Sequence, residues 1–152
     1  MNRIGKPDST RKAETRISKK TVNYLTLAIF APLLILVGVA GFLIPASLSL
    51  TSGAAPYNVF HIVFGAIGLL VLWSRKEWLV NCFNAGFGLI DLYQALASYL
   101  NLLPKEYFLW TRVDDITHVA LGLVLATIGF YGMSSTRNAR RPPTIVSRTS
   151  PS

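Results

Sequence analysis

The chain has 152 residues, 51% of them apolar, with a mean hydropathy of +0.43, which is too hydrophobic for an ordinary water-soluble domain and sized for one helical bundle. The formal net charge of +8 would suit a nucleic-acid binder, yet seven of the fifteen Lys and Arg residues lie in residues 1–20 and four in 137–148. No nucleic-acid motif accompanies them, so anionic lipid headgroups are the expected partner and nucleic acid is not. The lone Cys82 excludes an intramolecular disulfide and any Cys-based zinc site.

Residues 1–20 are polar and basic and show no apolar periodicity, so they read as a disordered cytoplasmic tail, with Arg16, Lys19 and Lys20 set among headgroups. The first helix is expected over 21–44, passing through Pro32. A span of ~20 residues rising ~1.5 Å each crosses the ~30 Å hydrocarbon layer. The run exceeds the ~7–15 residues of a signal-peptide core, so it reads as a retained span. Gly38, Ala40 and Gly41 offer it a smooth face for a neighbouring helix. A connector without charge follows, to Pro56.

The second helix is expected over 57–74, ending in the tight basic turn Arg75-Lys76-Glu77. The third, over 79–101, is the most polar, with Asn81, Asn84, Asp91 and Gln94. A loop rich in aromatic residues, Tyr107, Phe108 and Trp110, then precedes the fourth helix over 113–133. Tyr57, Trp73, Trp78, Tyr99, Tyr107 and Trp110 all fall near span ends and read as interfacial anchors. Residues 134–152 read as a second disordered basic cytoplasmic tail.

The sequence therefore predicts an all-α fold, a four-helix transmembrane bundle occupying 21–133. Thirteen of the fifteen basic residues lie in the two tails and the 75–77 turn. The positive-inside rule then puts both termini in the cytoplasm, with the protein multi-pass in a bacterial inner membrane.

One motif occurs twice. Asn58-Val-Phe-His61-Ile-Val-Phe-Gly65 and Asp115-Ile-Thr-His118-Val-Ala-Leu-Gly122 share a short amide or carboxylate, His and Gly at the same spacing. Two helical hairpins of the same direction would be parallel repeats about an axis along the membrane normal. The duplication puts His61 and His118 at one depth, near the outer surface, with Asp91 and Gln94 in the same leaflet and Asp114 and Asp115 at the outer mouth.

Two accounts of this constellation stand open. In the first, Asn58 and Asp115 cap their helices, His61 and His118 bond back in capping-box fashion, and Gly65 and Gly122 admit a neighbouring helix. In the second, the cost of a carboxylate at membrane depth requires Asp91 to face inward with a partner. His61 and His118 would then hold a haem between them, or a divalent metal with Asp91 or Asp115, or Asp91 and a histidine would relay protons or pass a small solute. No Gly-rich phosphate loop, HExxH, nucleophile elbow or Walker motif is present, so the expectation is a protein that is not an enzyme and carries no cofactor.

The order of motifs resembles a family of small four-helix bacterial membrane proteins known only as a domain of unknown function. The resemblance rests on Gly38-Val-Ala-Gly41-Phe42-Leu43-Ile44-Pro45, on Asn58 to Gly65 with Gly68 and Leu69, and on Asp115 to Gly122. It covers roughly residues 21–133 and leaves out Asp91 and Gln94. It implies a fold and a membrane location but no activity. The expected role is a structural or accessory component, acting as a homo-oligomer or within a larger membrane complex.

Overall fold

The computed structural model describes residues 8–45 and 47–139. The described residues form five helices, not four: α1 (Asp8–Leu43), α2 (Ala55–Trp73), α3 (Glu77–Leu100), α4 (Lys105–Phe108) and α5 (Arg112–Ala139). The extra element, α4, is a single turn that follows Pro104 in the loop expected to be irregular. No strand occurs among the described residues.

The ends also differ from expectation. Helix α1 begins at Asp8, inside the stretch read as a disordered tail, because Arg11, Lys12, Ala13, Glu14 and Arg16 are good helix formers continuous with the apolar run. Helix α5 runs on to Ala139 for the same reason, while residues 1–7 and 140–152 of the two expected tails lie outside the described residues. Helix α2 starts at Ala55, with Pro56 in its first turn, where a missing amide hydrogen costs nothing.

Among the described residues three helices are long and apolar enough to cross a membrane: Lys20–Leu43, Ala55–Trp73 and Arg112–Ser134. Helix α3 is not among them by composition, since Asn81, Asn84, Asp91 and Gln94 lower its hydropathy. Yet all four of those side chains are buried, together with Gly88 and Ser98, as one stripe spaced three and four residues apart. Leu89, Tyr93, Leu96 and Leu100 face outward on the same helix.

The bundle thus buries polar side chains among its core residues and turns large apolar ones outward. Asn23, Asn58, Asn84, Asp91, Asp114 and His118 are buried, whereas Ile29, Leu36, Leu70 and Ile116 are each 60% exposed or more. A water-soluble bundle distributes these residue types the other way, and a bilayer is the medium that rewards this one.

Two tight hairpins, α1 with α2 and α3 with α5, carry most of the packing. Glycines set their spacing. A Cβ on Gly65 would meet the Ala31 carbonyl oxygen at 2.7 Å, and one on Gly122 would meet the Gly88 carbonyl oxygen at 2.9 Å. The two motif glycines therefore do the same work, each letting its helix lie directly on its hairpin partner. Between the hairpins, Phe30, Leu34, Phe87 and Leu125 form an apolar cluster with Phe60, Phe64, Phe83 and Leu121 against it.

Candidate functional site

The most connected polar group is Asp114, at the start of α5. Its Oδ2 accepts from the Thr111 amide (2.8 Å) and the Thr111 hydroxyl (2.9 Å), and the Asp114 amide reaches back to that hydroxyl at 3.3 Å. This is a capping box with Thr111 in the cap position and the acid three residues on. The same Oδ2 accepts from the Ser52 amide at 2.8 Å, across 62 positions of sequence. Ser52 donates its hydroxyl to the Phe108 carbonyl, and the Leu50 carbonyl, 2.9 Å from the Thr111 hydroxyl, is an alternative acceptor for that hydroxyl's single proton. One carboxylate thus gathers the 44–54 connector, the α4 turn and the start of α5.

The second carboxylate oxygen, Oδ1, accepts from the Tyr57 hydroxyl at 2.9 Å. The Tyr57 oxygen is also 3.3 Å from His118 Nε2. A phenol has one proton, and a carboxylate paired in this way only accepts, so Tyr57 donates to Asp114. His118 Nε2 must then supply the hydrogen that reaches the phenolic oxygen. In the neutral ring this leaves Nδ1 as a bare acceptor, and that atom is buried without a hydrogen-bond partner.

His61 lies one turn after Tyr57 on α2. Its Nδ1 donates to the Tyr57 carbonyl at 2.9 Å, and its ring packs edge-on against the Tyr57 ring, centroids 4.2 Å apart. Tyr57 therefore touches both histidines, one through its backbone and ring, the other through its hydroxyl. Phe60, Phe108 and Trp110 complete an aromatic surround, with Trp110 centred 6.0 Å from His118.

The capping expectation for the paired motif is corrected in three places. Ala54, not Asn58, caps α2, and it does so without a side-chain bond. Asn58 lies inside the helix, its amide 3.4 Å from the Gly53 carbonyl and pressed against Gly41 of α1. On α5 the cap is Thr111 and its reciprocal acid is Asp114, so Asp115 and His118 do not form the box. His61 does bond within its own helix start, and His118 reaches across to α2.

The residues read as ligands are not gathered into one shell. No group of three or more His, Cys, Asp or Glu side chains placed to hold a metal ion occurs among the described residues. Asp115 is half-buried with Oδ1 unpartnered, one position round the helix from Asp114. Asp91 is 2% exposed, its Oδ2 without a partner, and Gln94 beside it has neither amide atom satisfied. Ligation by His118 through Nε2 would displace the Tyr57 hydroxyl.

A separate polar cluster lies toward the opposite end of the bundle. The Asn84 amide donates to the Asn23 carbonyl (3.1 Å) and to its side-chain oxygen (3.0 Å), and Asn23 donates to the Ile128 carbonyl at 3.0 Å. This network ties α1, α3 and α5 where the two hairpins meet.

Thr111 and Ser52 carry no signal singled out in the sequence, Tyr57 is read there only as an interfacial anchor, and Asp114 is placed only at the outer mouth. The spacing Thr111-x-x-Asp114 is the signal that could have found the box. Tyr57 and Trp110 are buried rather than interfacial, unlike Trp73, Trp78, Tyr99 and Tyr107, which are exposed as expected of anchors. No family model matches the chain, and neither any curated protein nor any solved structure is found to be similar to it.

Proposed function

We propose that this chain is a four-span protein of the bacterial inner membrane, both termini cytoplasmic, that acts as a non-enzymatic structural or accessory component in homo-oligomers or a larger complex. The observation that carries this reading is Asp114. Its acceptors are filled by Ser52, Thr111 and Tyr57 of the same chain, so the densest polar site serves to fasten helices and connectors. The burial of the α3 stripe supports a fourth span, since a helix whose amides face inward meets lipid only with its apolar side. The parallel-repeat arrangement and the likeness to small four-helix bacterial membrane proteins of unknown function belong to the same proposal.

The test is a spectrum and a fractionation. Protein purified in detergent, wild type beside a His61→Ala, His118→Ala double variant, is expected to show no Soret band and no stoichiometric metal in either form. A band or metal lost with the histidines overturns the reading in favour of a haem or metal module. Cys82 is exposed on α3, so a Cys82→Ser background with single cysteines placed in each tail reports topology through labelling from either side.

A second reading rests on Asp91 and Gln94, which sit three residues apart on α3 with buried atoms lacking hydrogen-bond partners. Such a pair suits the passage of a proton or small solute. Uptake into liposomes that is abolished by Asp91→Asn would establish it.

A further inference from the structure

A groove of about 620 Å³ opens at the basic end of the bundle, between α1 and the close of α2. Lys20, Thr21 and Arg75 stand at its mouth, and Leu25, Ala28 and Leu72 run from there toward the middle of the helices. Tyr24 lines it between the two zones, its hydroxyl buried without a hydrogen-bond partner. The Lys20 ammonium lies over the Tyr24 ring, 5.6 Å from its centroid.

The backbone at Arg75 adds an independent observation. Arg75 has φ of 54°, the left-handed conformation that ends many helices and that glycine adopts without strain. Here its amide closes onto the Leu72 carbonyl at 3.1 Å. An arginine at this position costs the fold something a glycine would not, and what it returns is a guanidinium at the mouth of the groove.

We infer that this groove is a binding site for one anionic phospholipid, the phosphate held by Lys20 and Arg75, and an acyl chain lying along Leu25, Ala28 and Leu72. The inference rests on the membrane reading above and deepens it, by replacing general attraction of the tails to headgroups with a defined seat. Charge complementarity selects the occupant. Guanidinium and ammonium groups favour a phosphodiester, a planar guanidinium can bind two of its oxygens, and the apolar wall excludes a free, fully hydrated phosphate from most of the groove.

The full chain in a mild non-ionic detergent is titrated with short-chain phosphatidylglycerol, with phosphatidylcholine of equal chain length, and with glycerol phosphate. Trp73 and Trp78 flank the turn that carries Arg75 and report binding by fluorescence. Phosphatidylglycerol is expected to bind about ten-fold more tightly than either control, and Arg75→Gly or Lys20→Gln each to remove about ten-fold of that affinity. Arg75→Gly relieves the strained backbone, so its thermal midpoint should equal or exceed that of wild type, which separates lost binding from lost folding. Both variants binding phosphatidylglycerol as wild type does would assign the preference to the tails and overturn the site. Equal binding of phosphatidylcholine, or of glycerol phosphate, overturns it as well. Extraction of the wild-type protein from membranes by alkaline carbonate is a separate readout, and it would instead sink the membrane reading.

Discussion

Replacing Asp114 by alanine removes the acceptor for four donors at once: the Ser52 amide, the Thr111 amide and hydroxyl, and the Tyr57 hydroxyl. The Thr111 hydroxyl keeps the Leu50 carbonyl, so its loss is small. The broken capping box costs about 1 kcal/mol. The Ser52 amide and the Tyr57 hydroxyl lie in buried surroundings, and each left unsatisfied costs ~1–3 kcal/mol. The sum is about 3–7 kcal/mol, a large part of the stability of a domain this size. Unfolding by SDS titration from mixed micelles, followed by tryptophan fluorescence, measures it. A double-mutant cycle with Tyr57→Phe should give a coupling of about 1–2 kcal/mol, because the phenylalanine no longer has a proton to strand. An Asp114→Ala variant within about 1 kcal/mol of wild type, or strictly additive single and double variants, would refute the claim that this carboxylate is the structural fastener.

Four further outcomes follow from the same geometry. Gly122→Ala places a methyl group 2.9 Å from the Gly88 carbonyl and Leu92, and should destabilise by about 1–3 kcal/mol. Gly86→Ala on α3, with nothing within 4 Å of the added carbon, should be neutral or stabilising by up to about 1 kcal/mol, and paired thermal melts compare the two. Asn84→Ala removes the two bonds that Asn84 gives Asn23, while the Asn23 bond to the Ile128 carbonyl stays, and should cost about 1–3 kcal/mol in the same SDS titration. Asp91→Asn removes a buried carboxylate with an unpartnered oxygen, so the variant should fold at least as stably as wild type, which circular dichroism during heating would show.

The sequence exposed the helices because apolar runs of membrane length leave little choice of backbone, and the starts of α2, α3 and α5 fall within two residues of expectation. It hid α4, since four residues after a proline carry no periodicity. It also hid the reach of α1, where the polar residues continue the helix on propensity without apolar periodicity. The twin motif drew attention to His61, His118, Gly65 and Gly122, and the glycines do pack as their spacing suggests. The carboxylate was harder. Asp114 and Asp115 are adjacent and chemically identical, and choosing between them required knowing that Thr111 caps the helix. Tyr57 lay beyond reach for a related reason, because an aromatic residue at a span end faces lipid headgroups or its neighbours according to a rotation that only the assembled hairpins fix.

The polar stripe of α3 bears on how the protein is made. If the helix spans the bilayer, then during synthesis it emerges carrying Asp91 and three amides, and no lipid environment will accept it unaided, since a central aspartate alone weighs ~2.5–3.5 kcal/mol against insertion. It must wait at the translocon until α5, its hairpin mate, is available to cover Gly88 and the residues around it. A glycosylation-tagged reporter should then find α3 poorly retained in isolation and well retained when the chain is extended through α5, so that the order of translation becomes a condition of assembly.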